Sequence, residues 1–140
     1  MYLLDTVVYS EIQRPRPDPR IQRFLDTVPE VLLFTSVIVL GELLQGARNA
    51  PDERRARRIR SWIDAEWPER IHDRLLPVSM EVARTWGELS GDAMRRGVAL
   101  PIADGLIAAT ALVHGLIVVT RNESDFLRCG VRVRNPWGES

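Results

Sequence analysis

The chain has no lysine; all 19 of its basic residues are arginine. That argues strongly against a phosphate-accepting receiver domain, which uses a lysine at the end of its last strand. A P-loop enzyme is excluded, because Gly-Lys followed by Ser or Thr does not occur. Cysteine is almost missing: Cys129 stands alone, which rules out a disulfide within the chain and a cysteine-built metal site. Only two histidines are present, His72 and His114, and neither lies in a nucleophile context; no Gly-x-Ser-x-Gly elbow accompanies them. His114 falls near a helix C-terminus, where the dipole favours it. No run of about 18 apolar residues exists to span a membrane. The start lacks a basic segment followed by an apolar one, so no secretory signal is visible and a cytoplasmic protein is expected. Excess charge is missing too: 19 acidic residues balance the 19 basic ones. No global field draws nucleic acid, and any such site has to be local.

What remains is ordinary for one soluble domain: 140 residues, 45% hydrophobic and 27% charged. Apolar strands alternate with helical patterns. "YLLD" reads as a strand and "TVVYSEIQR" as a short helix stopped by "PRPDP". Asp18 caps a second helix, with Pro19 at its first position. "VLLFT", Val31 to Thr35, reads as a strand, and Ser36 caps the helix "VIVLGELLQGA". A basic helix follows from Asp52 to Ala65, with Ile59, Trp62, Ile63 and Trp67 at helical spacing. "LLPV" is a short strand or a connection. A helix runs from Ser79 to Gly97, and another, "ADGLIAATALVHG", has Gly115 at its C-terminal end, with Asp104 available as its cap. "LIVVT" is the clearest strand, and "VRVRN" reads as an edge strand. Strands apolar throughout and separated by helices imply a parallel sheet covered on both faces. The chain reads as a single α/β domain over residues 1–140. Sites in such folds lie outside the carboxyl ends of the strands.

Four acids fall at that edge. Asp5 ends the first strand, Glu42 lies in the helix after "VLLFT", Asp104 opens a helix, and Asp125 follows "LIVVT". Asp5 and Asp104 can be plain caps and Asp125 a turn residue. Glu42 lies six residues beyond Ser36, too deep for the first-turn dipole, with Ile38 and Val39 one turn below it. It needs a partner, whether an arginine or something else. Two carboxylates about 4 Å apart repel by roughly 4 kcal/mol at an effective dielectric near 20. A cluster of four therefore calls for a cation, either an arginine or a hard divalent ion such as Mg²⁺ or Mn²⁺. Zinc fits poorly without His or Cys in these motifs.

These residues carry a resemblance. "LLDT", "SVIVLGELLQG", "LPIADGLIAATALVHGLIVVTRNESDF" and "VRVRNPW" follow one another in order across nearly the whole chain. In this the protein resembles PIN-domain nucleases, specifically the toxin components of VapBC-type toxin–antitoxin pairs. The resemblance implies a PIN-like three-layer α/β/α fold with a mainly parallel sheet of four to five strands. It implies a metal-dependent endoribonuclease. Asp5 and Asp104 would be the main ligands of Mg²⁺ or Mn²⁺, Glu42 and Asp125 would complete the site, and one of the acids would act as general base. Thr6, Thr120 and Asn122 match polar positions that hold such a site. No motif acid is replaced. An acidic cavity repels RNA, so local arginines acquire a purpose: Arg54, Arg55, Arg57 and Arg58, Arg95 and Arg96, and Arg121 are candidates for flanking phosphates. The resemblance further implies a cognate VapB-type antitoxin, a homodimer, and operator DNA reached only through the antitoxin. Trp62 and Trp67 form either core packing or a docking surface. A haloacid-dehalogenase phosphatase is a poor match, because Val7 stands where its second aspartate belongs. A binding subunit of a DNA-bound regulatory complex, its acids serving as a docking site, is the rival function.

Overall fold

The computed structural model describes residues 1–138. Its centre is a sheet of five parallel strands: β1 (Tyr2–Leu4), β2 (Leu33–Ser36), β3 (Leu75–Leu76), β4 (Ile117–Val119) and β5 (Val133–Arg134). The order across the sheet is β3-β2-β1-β4-β5. Leu3, Leu4, Val118 and Val119 are each at most 4% exposed, so the middle strands are covered on both faces as their apolar runs require. The chain builds outward from β1 to β3, then returns to β1's other side with β4. The topological switch point therefore lies between β1 and β4.

Seven helices flank this sheet among the described residues: α1 (Thr6–Ile12), α2 (Pro19–Thr27), α3 (Val37–Asn49), α4 (Glu53–Arg70), α5 (Met80–Arg95), α6 (Ile102–His114) and α7 (Glu123–Leu127). The expected caps form. The Asp18 carboxylate accepts from the Arg20 amide, Ser36 Oγ from Ile38, and Ser79 Oγ from Val82. Gly115 ends α6 at φ +66°, a left-handed conformation that costs glycine nothing. No helix among the described residues is long and apolar enough to cross a membrane.

Three expectations shift. β2 starts at Leu33, not Val31, because Glu30–Leu32 makes a turn of 3₁₀ helix behind Pro29. Arg74 holds that turn by donating to the carbonyls of Glu30 and Leu33, both at 2.6 Å. That contact spans more than forty residues and leaves no trace in local periodicity. The basic helix continues past Ala65 to Arg70 and passes through Pro68. Its stripe of Ala56, Ile59, Ile63 and Trp67 is buried, which outweighs the one hydrogen bond that Pro68 removes near the helix end. Trp62 and Trp67 pack into the core. Trp67 is 5% exposed, and the two rings close a triangle with Tyr9, with centroids 5.2 to 5.8 Å apart. Burial in that triangle pushes the Tyr9 phenol up to about 12. Asp104 is not a cap. Pro101 precedes the first turn of α6, Gly105 N–H bonds the Pro101 carbonyl at 3.0 Å, and Asp104 is the third residue of the helix. The rigid φ of Pro101 starts the helix earlier than the apolar stripe does.

Candidate active site

The site grows from the end of β1. Asp5 is at once the cap of α1 and a buried acid, 5% exposed. Its amide bonds the Val119 carbonyl at 3.1 Å, which ties the ends of β1 and β4 together. One carboxylate oxygen accepts from the Thr6 amide at 2.8 Å, and the other from Thr120 Oγ1 at 2.7 Å. Thr120 is fully buried just beyond β4, and its hydroxyl also accepts from the Asn122 amide at 3.0 Å. Burial raises the Asp5 pKa above the usual range; the two donors pull against that, and Glu42 adds to it.

Each other acid reaches the same edge by its own element. Glu42 projects from α3 and accepts from Thr6 Oγ1 at 2.6 Å. The partner that this acid needed is thus a hydroxyl on α1. Asp125 lies in α7, where Asn122 Nδ2 donates to it at 2.8 Å and Arg128 stands 3.8 Å away. Asp104, half-buried in the first turn of α6, has no hydrogen bond or ion pair from its carboxylate among the described residues. Desolvation raises its pKa to about 6, helped by the charges of Asp5, Asp125 and Glu42 in that order. Four acids far apart in sequence therefore lie within electrostatic reach of one another. Among the described residues no arginine forms an ion pair with Asp5, Glu42 or Asp104.

The donor set is all oxygen, which suits a hard divalent cation better than zinc. Its spacing is open: among the described residues, no three His, Cys, Asp or Glu side chains stand close enough together to enclose an ion as they are. The arginines divide. Arg54, Arg55, Arg57 and Arg58 lie exposed on α4, opposite its buried stripe, and Arg95 is exposed at the end of α5. Arg121 lies over the Trp137 ring, 5.1 Å from its centroid, rather than against an acid. Arg96 shares a cavity with one of the four acids, Asp125. Arg128, which flanks Asp125, was not anticipated. Its spacing of three residues from Asp125, at the C-terminal cap of α7, was the available signal.

Residues 2–131 match the PIN domain family. VapC ribonuclease Y4jK of Sinorhizobium fredii is 33% identical over 137 residues, covering 98% of this chain and 98% of that protein. Toxin FitB of Neisseria gonorrhoeae is 33% identical over 137 residues, covering 98% of this chain and 99% of its own. Among solved structures, a chain of FitAB bound to an IR36 DNA fragment superposes with a TM-score of 0.89 at 31% identity, covering 100% of this chain and 98% of that one.

Proposed function

The chain belongs to the PIN-domain family, and on that premise we propose that it is an endoribonuclease, the toxin of a toxin–antitoxin pair. One observation carries the reading. Asp5, Glu42, Asp104 and Asp125 act on one another's charge at the switch point of a parallel sheet, and among the described residues no arginine forms an ion pair with Asp5, Glu42 or Asp104. Mutual repulsion of this kind persists where function requires it. Asp5 and Asp104 would hold Mg²⁺ or Mn²⁺, with Glu42 and Asp125 completing the shell directly or through water. Bound there, the ion would offset charge growing on the scissile phosphate and lower the pKa of a water.

The chain's own groups do the rest. Thr120 and the Thr6 amide hold Asp5 in one rotamer, and the Thr6 hydroxyl holds Glu42. Asn122 holds Asp125. The proton of the attacking water passes to one of these carboxylates as general base. The names of the similar proteins, VapC ribonuclease and FitB toxin, support RNA as the substrate. The FitAB complex on DNA supports an antitoxin partner through which operator DNA is reached. A homodimer belongs to the same proposal.

The test uses the purified chain, freed of any partner, with RNA and Mg²⁺ or Mn²⁺, beside Asp5→Asn. Cutting by the parent and not by the variant is expected. Cutting by both, or by neither, refutes the reading and leaves the acids as a docking site.

A further inference from the structure

A cavity of about 270 Å³ opens beside Asp125. Arg96 and Arg128 stand on its wall together with Asp92 and Asp125, Arg128 lying 3.8 Å from the Asp125 carboxylate, and Leu89, Ala93 and Leu100 line it with apolar surface. Cys129, 8% exposed, lines it too and donates its Sγ–H to the Asp125 carbonyl at 3.3 Å. The thiol feels the charges of Asp125, Asp104 and Arg96 together, so the cavity lies within reach of the acid cluster. Two guanidiniums beside an apolar lining match the two halves of a nucleotide. The face of a base gains by leaving water against aliphatic side chains, and a phosphate takes a planar fork. The Arg96 chain is steadied by its Nε bond to the Asp92 carbonyl at 3.4 Å, with no other hydrogen bond to that guanidinium among the described residues. Arg128 is 58% exposed beside Asp125. The volume is just under the ~300 Å³ at which pockets begin to take drug-sized ligands. That is room for one nucleotide and not for a run of them.

We propose that this cavity is a nucleotide subsite next to the reacting phosphate, with the base against the apolar lining and Arg96 and Arg128 on the adjoining phosphate. The inference rests on the ribonuclease reading and extends it. It names where preference for one neighbouring nucleotide arises. Arg128 joins Arg96 as a substrate-binding residue, and the arginines of α4 do not set that preference.

The test has a binding arm and a cleavage arm. In the first, the full chain is titrated with each of the four nucleoside 5′-monophosphates and with inorganic phosphate. The amide signals of Val98, Cys129 and Gly130 are followed by NMR. Nucleotides are expected to shift these signals at concentrations about tenfold lower than phosphate does. Arg96→Ala with Arg128→Ala is expected to weaken that response about tenfold, and Ala99→Trp to block it. In the second arm, both variants raise KM for RNA by about tenfold or more while kcat changes little, and cleavage sites lose their bias for the adjoining nucleotide. Thermal unfolding checks that each variant folds; should Ala99→Trp fail to fold, the arginine pair decides. The proposal is overturned if nucleotides leave these signals unmoved, if phosphate alone moves them as well, or if the variants keep the parent's KM and cleavage sites. A parent that cuts no RNA sinks the ribonuclease reading, and the titration still decides the subsite.

Discussion

Replacing Asp104 by asparagine should stabilise the metal-free protein. The carboxylate is half-buried, has no hydrogen-bond donor among the described residues, and stands among three other acids. Its pKa rises from 3.8 to about 6 on folding. A raised acid pKa means that the folded state holds the proton more tightly than the unfolded one. The associated stability is complete below the unfolded value of 3.8 and is lost as pH climbs through about 6. Two pKa units would be worth roughly 3 kcal/mol at neutral pH. Solvent screening of a half-exposed group reduces this to about 1 kcal/mol. Asparagine keeps the shape without the charge, so Asp104→Asn should recover that amount, a rise of about 3 to 5 °C in Tm for a domain of this size. The assay is thermal unfolding in excess EDTA, parent beside variant, at about pH 7.5 and about pH 4.5. The gain should appear at the higher pH and shrink at the lower, where the folded parent is already protonated. A variant less stable than the parent at neutral pH would refute the reasoning. So would a gain of equal size at both pH values, because burial and the neighbouring acids would then not be holding a proton on Asp104. Added Mg²⁺ should raise the parent's Tm more than the variant's.

Thr120→Val removes the buried hydroxyl that donates to Asp5 at 2.7 Å. A hydrogen bond to a charged group is worth about 1.5–3 kcal/mol, so single-turnover RNA cleavage should fall by at least tenfold; an unchanged rate would show that Thr120 does not hold Asp5 for the reaction. Gly105→Ala would place a methyl 3.0 Å from the Trp86 indole and 3.3 Å from Leu100, where α6 packs on α5. Overpacking of this kind costs about 1–3 kcal/mol; urea unfolding should read the loss, and a neutral result would mean that the indole swings away freely. Trp137→Phe deletes the indole N–H that donates to the buried Glu11 at 3.1 Å. An unsatisfied buried acceptor costs about 1–3 kcal/mol, so the urea midpoint should drop, whereas no change would mean that water replaces the lost donor.

Much of the fold was legible in the residues. Apolar strands without alternation required cover on both faces, and helices between them required parallel pairing; β1, β2 and β4 are where "YLLD", "VLLFT" and "LIVVT" put them to within two residues. The start of α6 was misjudged because a proline, not an acid, begins it. The end of α4 was misjudged because burial of Trp67 carries the helix past Pro68. Residue type and strand-end position picked out Asp5, Glu42, Asp104 and Asp125, since an acid beside apolar neighbours stands out in any sequence. Thr6, Thr120 and Asn122 came from the resemblance alone, and which of them meets which acid did not stand out. Thr6 meets Glu42 across 36 positions and Thr120 meets Asp5 across 115; the first needs α1 packed on α3, and the second needs β4 returned to β1's free edge. The same holds for the arginines. Nineteen of them are chemically alike along the chain, and only the tertiary structure separates Arg96 and Arg128, beside Asp125, from Arg121, which lies over Trp137. Local pattern records what each segment prefers by itself. Strand order decides which chain ends meet, and a charge carries no mark of its neighbour until that order exists.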